Sequence, residues 1–280
     1  MAEPRLSIIT CCKGRLDYLK RSLPTFVAQP ESEVIVVDYD CPQKTREWVA
    51  AHYPQARLIA VADAPRFNVS RARNIGAEHA RAPWLVFCDA DDLLTPSFSM
   101  DLLSKAMPGT YQRTLRGDKP EAIPLACEAT AFRAIGGYDD ALQGWGLEDF
   151  EIISRLGSSG VREVESAAVG QNVPHSKAEC DRYYEHVVEV SVVINYYYCY
   201  IKRRYFETTG RWLSDEQRHS TYRSVEGAIV TALSDSEGDA SFDIPIVDSA
   251  PPWTAQLHTA DVRRLFEIHT RKINKKAVLD

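Results

Sequence analysis

Two acidic groups in this chain have the residue types and the spacing to do chemistry. The stretch VFCDADDLL puts Asp89 and Asp91 one residue apart directly after an apolar run. At an extended strand end, side chains at i and i+2 point the same way, so these two carboxylates can approach one hard cation. An acidic turn that caps the next helix would use the same residues, and the apolar strand before them favours the metal reading. The second group lies in GGYDDALQGWGLEDFEIISRL, residues 136–156. There Glu148 and Asp149 open a helix whose apolar positions are Phe150, Ile152, Ile153 and Leu156. A carboxylate so placed can serve as a general base for an attacking hydroxyl, although first-turn acids also simply complement the helix dipole. Gly136 and Gly137 permit a tight turn, and Trp145 offers a flat apolar face with Gly146 leaving room beside it.

Further candidates depend on these two. His175, in NVPHSKAE, is the natural third ligand if Asp89 and Asp91 hold a metal, because imidazole joins carboxylates in such sites. NVSRARNIGA brings Arg71, Arg73 and Asn74 into one helical turn, where guanidinium groups suit phosphate; a plain surface helix would read the same way. The tyrosines between positions 183 and 205 read as helix-packing surface, and the basic residues near the C-terminus as a solvated face or a seat for an anionic acceptor.

The elements that must position these residues alternate in type. Residues 6–12, 34–37, 57–62 and 84–88 read as buried strands, and 16–28, 45–51 and 68–80 as helices, with Asn68 as an N-cap. Strands alternating with helices imply βαβ units and a parallel sheet, and ligands collect at the carboxyl ends of such strands. Thr10 to Arg15, Asp38, and Asp89 to Asp92 all fall at such ends. Residues 99–124, with Pro108, Gly109, Gly117, Pro120 and Pro124, read as an irregular connection. A long helix is expected from Ala178 to about Phe206, and a final one from about Thr259 to Lys276 after a loop.

The chain's 280 residues allow one or two domains, and 45% hydrophobic with 26% charged residues is ordinary for a globular protein. A net charge of −6 excludes a molecule that is basic overall. No window is apolar enough to span a membrane and no leader is legible, so a cytoplasmic location is expected. Seven cysteines without CxxC spacing read as free thiols.

Taken in order, SIITCCKGR, VIVVD, SRARNIGA, DAD, GGYD, WGLED and His175 resemble the family 2 glycosyltransferases of GT-A fold and their relatives, the β-1,4-galactosyltransferases and polypeptide N-acetylgalactosaminyltransferases. The resemblance covers residues 5–180 and implies a GT-A α/β domain over 1–180, with a donor and metal part (1–98) and an acceptor and catalytic part (125–180). A mainly helical extension over 181–280 follows. It implies Thr10 and Arg15 near the nucleotide, Asp38 at the base, and Arg71 and Asn74 holding the donor. It also implies Asp89 near the ribose and the metal, and Asp91 and His175 as ligands of Mn²⁺ or Mg²⁺. Asp149 would be the base of an inverting transfer from a UDP-sugar, with Glu148 on the acceptor and Trp145 and Gly146 at the sugar. The acceptor expected is a glycan such as a bacterial surface polysaccharide, with a protein side chain or a hydroxylated DNA base less favoured. A binding protein without catalysis is the competing reading. A nucleotidyltransferase would want a glycine- and arginine-rich loop that CCKGRLDYL does not supply.

Overall fold

The computed structural model describes residues 3–116, 119–174, 182–235 and 251–256. The chain divides into two compact units, Met1–Asp140 with Glu148–Tyr183, and Ala141–Leu147 with Tyr184–Asp280.

The first unit begins with β1 (Leu6–Cys12), α1 (Leu16–Val27), β2 (Ser32–Tyr39), α2 (Thr45–His52), β3 (Arg57–Val61), α3 (Val69–Glu78) and β4 (Trp84–Cys88). Strands β3, β2, β1 and β4 lie side by side in parallel. Their apolar runs follow from burial on both faces. Ile8, Val34, Val36 and Val86 pack on Leu19, Leu23 and Phe26 of α1, whereas Ile9, Ile35, Val37, Leu85 and Phe87 belong to the core under α3. Each such buried side chain contributes about 1.5–3 kcal/mol. The Asn68 side chain accepts from Arg71 N at 2.9 Å, so α3 starts at the expected cap.

The region expected to be an irregular connection is ordered. It contains α4 (Phe98–Ser104), β6 (Thr110–Arg116) and β7 (Lys119–Glu128), preceded by a short β5 (Asp92–Leu94). Strand β7 joins the sheet antiparallel to β4, and β6 pairs antiparallel with β7. The breakers and buried polar side chains hid these strands: Gln112 and Thr114 are fully buried in β6, where the Gln112 amide nitrogen donates to the Leu102 carbonyl at 3.0 Å. Then come α5 (Ala129–Ala134), α6 (Glu148–Ser158), β8 (Arg162–Glu163) and β9 (Gly170–Asn172). The sheet order is β3-β2-β1-β4-β7-β6-β8, with β5 and β9 as a separate pair.

The second unit contains α7 (Val188–Thr209) and α8 (Asp215–Asp235). Helix α7 starts ten residues after the expected Ala178, and 175–181 lie outside the described residues. The expected final helix, 259–276, also lies outside them. Tyr197 and Tyr198 are buried with Tyr222 and Ile194, so these tyrosines are core. No helix among the described residues is long and apolar enough to cross a membrane.

Candidate active site

Arg73 is the centre of the site. It is 2% exposed, and its guanidinium reaches acids from two separate elements. One amino group donates to Asp89 Oδ1 at 2.9 Å; the other donates to Asp149 Oδ1 at 2.7 Å and lies 3.5 Å from Glu148 Oε1. The Tyr138 ring stacks against it, 5.0 Å from centroid to guanidinium carbon. The acid after β4 and the acids opening α6 are therefore held together by one buried cation. The sequence placed Arg73 beside Arg71 and Asn74 but did not single it out. Its spacing from Val69 and Ala77, four residues each way, was the available signal, since it puts Arg73 on the inward face of α3.

The three aspartates after β4 have different partners. Asp92 is fully buried and accepts from Asp89 N at 2.7 Å, which locks a turn rather than an extended strand end. Asp91 accepts from Arg15 at 3.1 Å, joining the loop after β1 to the loop after β4. Asp89 faces Arg73 through one oxygen while 43% of its side chain is exposed.

The turn at Gly137 and Tyr138 is anchored from α3. The Asn74 amide donates to the Tyr138 carbonyl at 2.9 Å and accepts from Tyr138 N at 2.8 Å. Gly137 has φ +70°, and a Cβ there would lie 2.5 Å from Asn74 Oδ1, so the close approach requires glycine.

Burial, reinforced by the carboxylates of Glu148 and Asp89, pushes the Asp149 carboxyl well above the ordinary range against the opposing pull of Arg73. Burial in turn would lower Arg73, but the surrounding acids hold its guanidinium firmly charged.

The remaining expected residues are placed as follows. Asp38 is buried, and its oxygens accept from Cys41 N at 2.8 Å and Arg46 N at 3.0 Å, which fixes the loop into α2; burial raises its carboxyl. Thr10 is fully buried in β1, and its hydroxyl has no hydrogen-bond partner among the described residues. Arg71 is exposed. Trp145 and Gly146 belong to the second unit, where the Asn195 amide of α7 donates to Gln143 O at 3.0 Å and Gly146 O at 2.8 Å. Trp145 is 46% exposed. That support from α7 was not legible in the sequence. His175 lies outside the described residues.

Residues 7–112 match the family model "Glycosyl transferase family 2", and residues 124–187 match "N-terminal domain of galactosyltransferase". Validoxylamine A glucosyltransferase of Streptomyces hygroscopicus subsp. jinggangensis is 24% identical, over 64% of this chain and 60% of its own length. The homologous enzyme of subsp. limoneus is 25% identical, over 64% and 56%. The chain thus spans somewhat over half the length of these curated relatives. Among solved structures, the mannosyltransferase PcManGT from Pyrobaculum calidifontis, in complex with GDP-Man and Mn²⁺, superposes with TM-score 0.55 at 15% identity, covering 95% of this chain and 86% of that one. TarS of S. aureus with UDP-GlcNAc superposes with TM-score 0.56 at 12% identity, covering 83% and 73%. Two adjoining stretches, residues 7–112 and 124–187, thus match glycosyltransferase family models, and the chain shares the GT-A fold of these structures.

Proposed function

We propose that this chain transfers a hexose or N-acetylhexosamine from a UDP-sugar to an acceptor hydroxyl, with inversion, using Asp149 as the base. The observation that carries this reading is the convergence of Asp89 and Asp149 on Arg73. The acceptor hydroxyl gives its proton to Asp149 as its oxygen attacks the anomeric carbon, and the bond to the diphosphate breaks on the opposite face. A base with a raised pKa takes a proton more readily near neutral pH, which suits the environment of Asp149. Arg73 holds that carboxylate in place, and Glu148 lies beside it to receive an acceptor hydroxyl.

Asp89 and Asp91 offer hard oxygen donors two positions apart along one turn, a set that fits Mn²⁺ or Mg²⁺, and His175 would complete it. When bound there, such an ion would neutralise charge on the leaving diphosphate. Arg15, already against Asp91, is placed to share that work. The relatives with GDP-Man and with UDP-GlcNAc support a nucleotide-sugar donor, and UDP is the choice we favour on the sequence resemblance. We propose a glycan as the acceptor.

The test is a donor screen: UDP- and GDP-sugars are incubated with the protein and Mn²⁺, and release of the free nucleotide is measured with and without EDTA. Metal-dependent release from a UDP-sugar is expected. Nucleotide binding without release from any donor would instead establish the non-catalytic binder.

A further inference from the structure

Cys12 ends β1 and Cys41 follows β2, where the Cys41 N–H also donates to Asp38 at 2.8 Å. Their sulfurs are 4.0 Å apart. Cys12 is fully buried, whereas Cys41 is half-buried and so open to a small reagent. Cys41 Sγ accepts from the backbone N–H of Gly14 at 3.1 Å. The Thr45 hydroxyl, at the first turn of α2, lies 3.3 Å from Cys12 Sγ. Cys41 Sγ thus has a backbone N–H and a neighbouring thiol beside it, while the Thr45 hydroxyl braces that thiol, a setting that stabilises a thiolate at Cys41. The neighbouring Cys12 thiol, the Thr45 hydroxyl and the backbone N–H groups of Gln43 and Gly14 lower the Cys41 thiol to about 5, overcoming its partial burial. Cys11, one residue from Cys12, is pushed the opposite way by burial, to about 12. The reactive character therefore belongs to this cradle and not to the cysteine-rich stretch as a whole.

We infer that Cys41 is an oxidant-sensing thiolate and Cys12 its resolving partner, so that a peroxide converts the pair to a disulfide joining the ends of β1 and β2. In the first step the Cys41 thiolate attacks one oxygen of hydrogen peroxide. The O–O bond breaks, hydroxide leaves, and Cys41 is oxidised to the sulfenic acid. The Cys12 sulfur then attacks the Cys41 sulfur, forming the S–S bond; the S–O bond breaks, and the departing hydroxide takes the Cys12 proton as water. One peroxide is reduced to two waters per disulfide, counting the proton taken up from solvent. The loops that this bond would tether carry Gly14 and, next to it, Arg15, the partner of Asp91. The chemistry of the pair is independent of the glycosyltransferase reading.

The experiment reads the cysteines directly, without an activity assay. The full-length reduced protein is pulsed with iodoacetamide between pH 6 and 8, and labelling is followed by peptide mass spectrometry. Cys41 labelling should change by less than about twofold across that range, while a free cysteine-containing peptide added as a reference should rise roughly 75-fold, as an ordinary thiol of pKa about 8.5 does. After treatment with one equivalent of hydrogen peroxide, non-reducing maps should contain the peptide pair linked through Cys12 and Cys41. In Cys12→Ser the same treatment should leave a sulfenic acid on Cys41 that dimedone traps. Labelling of Cys41 that climbs with pH in step with the reference peptide, or oxidised wild-type protein without the Cys12–Cys41 link, would overturn the inference.

Discussion

The two ends of α6 each hold a buried arginine beside acids, and they are built to different purposes. Arg155 pairs with Glu151 one turn away, through two contacts of 2.6 Å, and donates a third hydrogen bond to the Ile135 carbonyl at 2.7 Å. Charge is balanced one to one within a single helix, so the pair fastens α6 to the turn after α5. At the other end Arg73 comes from α3 and faces Asp89, Glu148 and Asp149 together. Three carboxylates against one guanidinium leave negative charge over, at a position where the chain also supplies Asp91 and Arg15. A balanced buried pair holds structure; an unbalanced cluster drawn from separate elements is the arrangement we propose for a cation and a proton.

Four experiments would break or sharpen that contrast. The largest effect is expected from Asp149→Asn, which should lower turnover by about 10²–10⁴-fold, the usual contribution of a general base, while donor affinity measured by calorimetry holds. An equal loss of donor affinity would move Asp149 from proton transfer to binding. Next, Arg155→Met takes from buried Glu151 the guanidinium that balances its charge, at a cost of about 3–5 kcal/mol in urea denaturation. The double variant with Glu151→Leu should recover most of that, because removing both charges removes the penalty. A smaller change is expected for Arg73→Lys: a single ammonium cannot bridge Asp89 and Asp149 as the planar fork does, and displaced reacting groups should lower kcat roughly 10–10²-fold with little change in melting temperature. The smallest effect is in pH dependence. The Asp149 carboxyl is raised in the fold, so its stabilising influence is complete below the unfolded value of an aspartate and fades as pH rises through the folded value. The acid limb of the rate profile should accordingly sit above the range of an ordinary carboxylate, and the melting-temperature difference between Asp149→Asn and wild type should shift in favour of the variant as pH rises.

The parallel half of the sheet was readable because both faces are covered. Val34 to Val37 and Trp84 to Cys88 have no polar alternation to confuse, and burial of such runs admits few alternatives. Strands β6 and β7 were not readable, since their pairing depends on long-range contacts that make Gln112 and Thr114 core residues and accommodate Pro124. The identity of the acids was legible from DAD and WGLED, but the residue that gathers them was not. Which arginine of SRARN turns inward is decided by the phase of α3 against the sheet, where Ala72, Gly76 and Ala77 are buried alongside Arg73. Nor did the sequence disclose that Asp92 serves the turn while its two neighbours meet arginines, because three adjacent aspartates carry no mark of their partners.

The amide of Asn74 imitates a neighbouring strand. It gives one hydrogen bond to Tyr138 and receives one back, both through main-chain atoms, so the loop carrying the downstream acids is docked by peptide geometry without regard to its side chains. An aspartate at position 74, isosteric but without the donor, would set one acceptor against another and loosen the main chain at Tyr138.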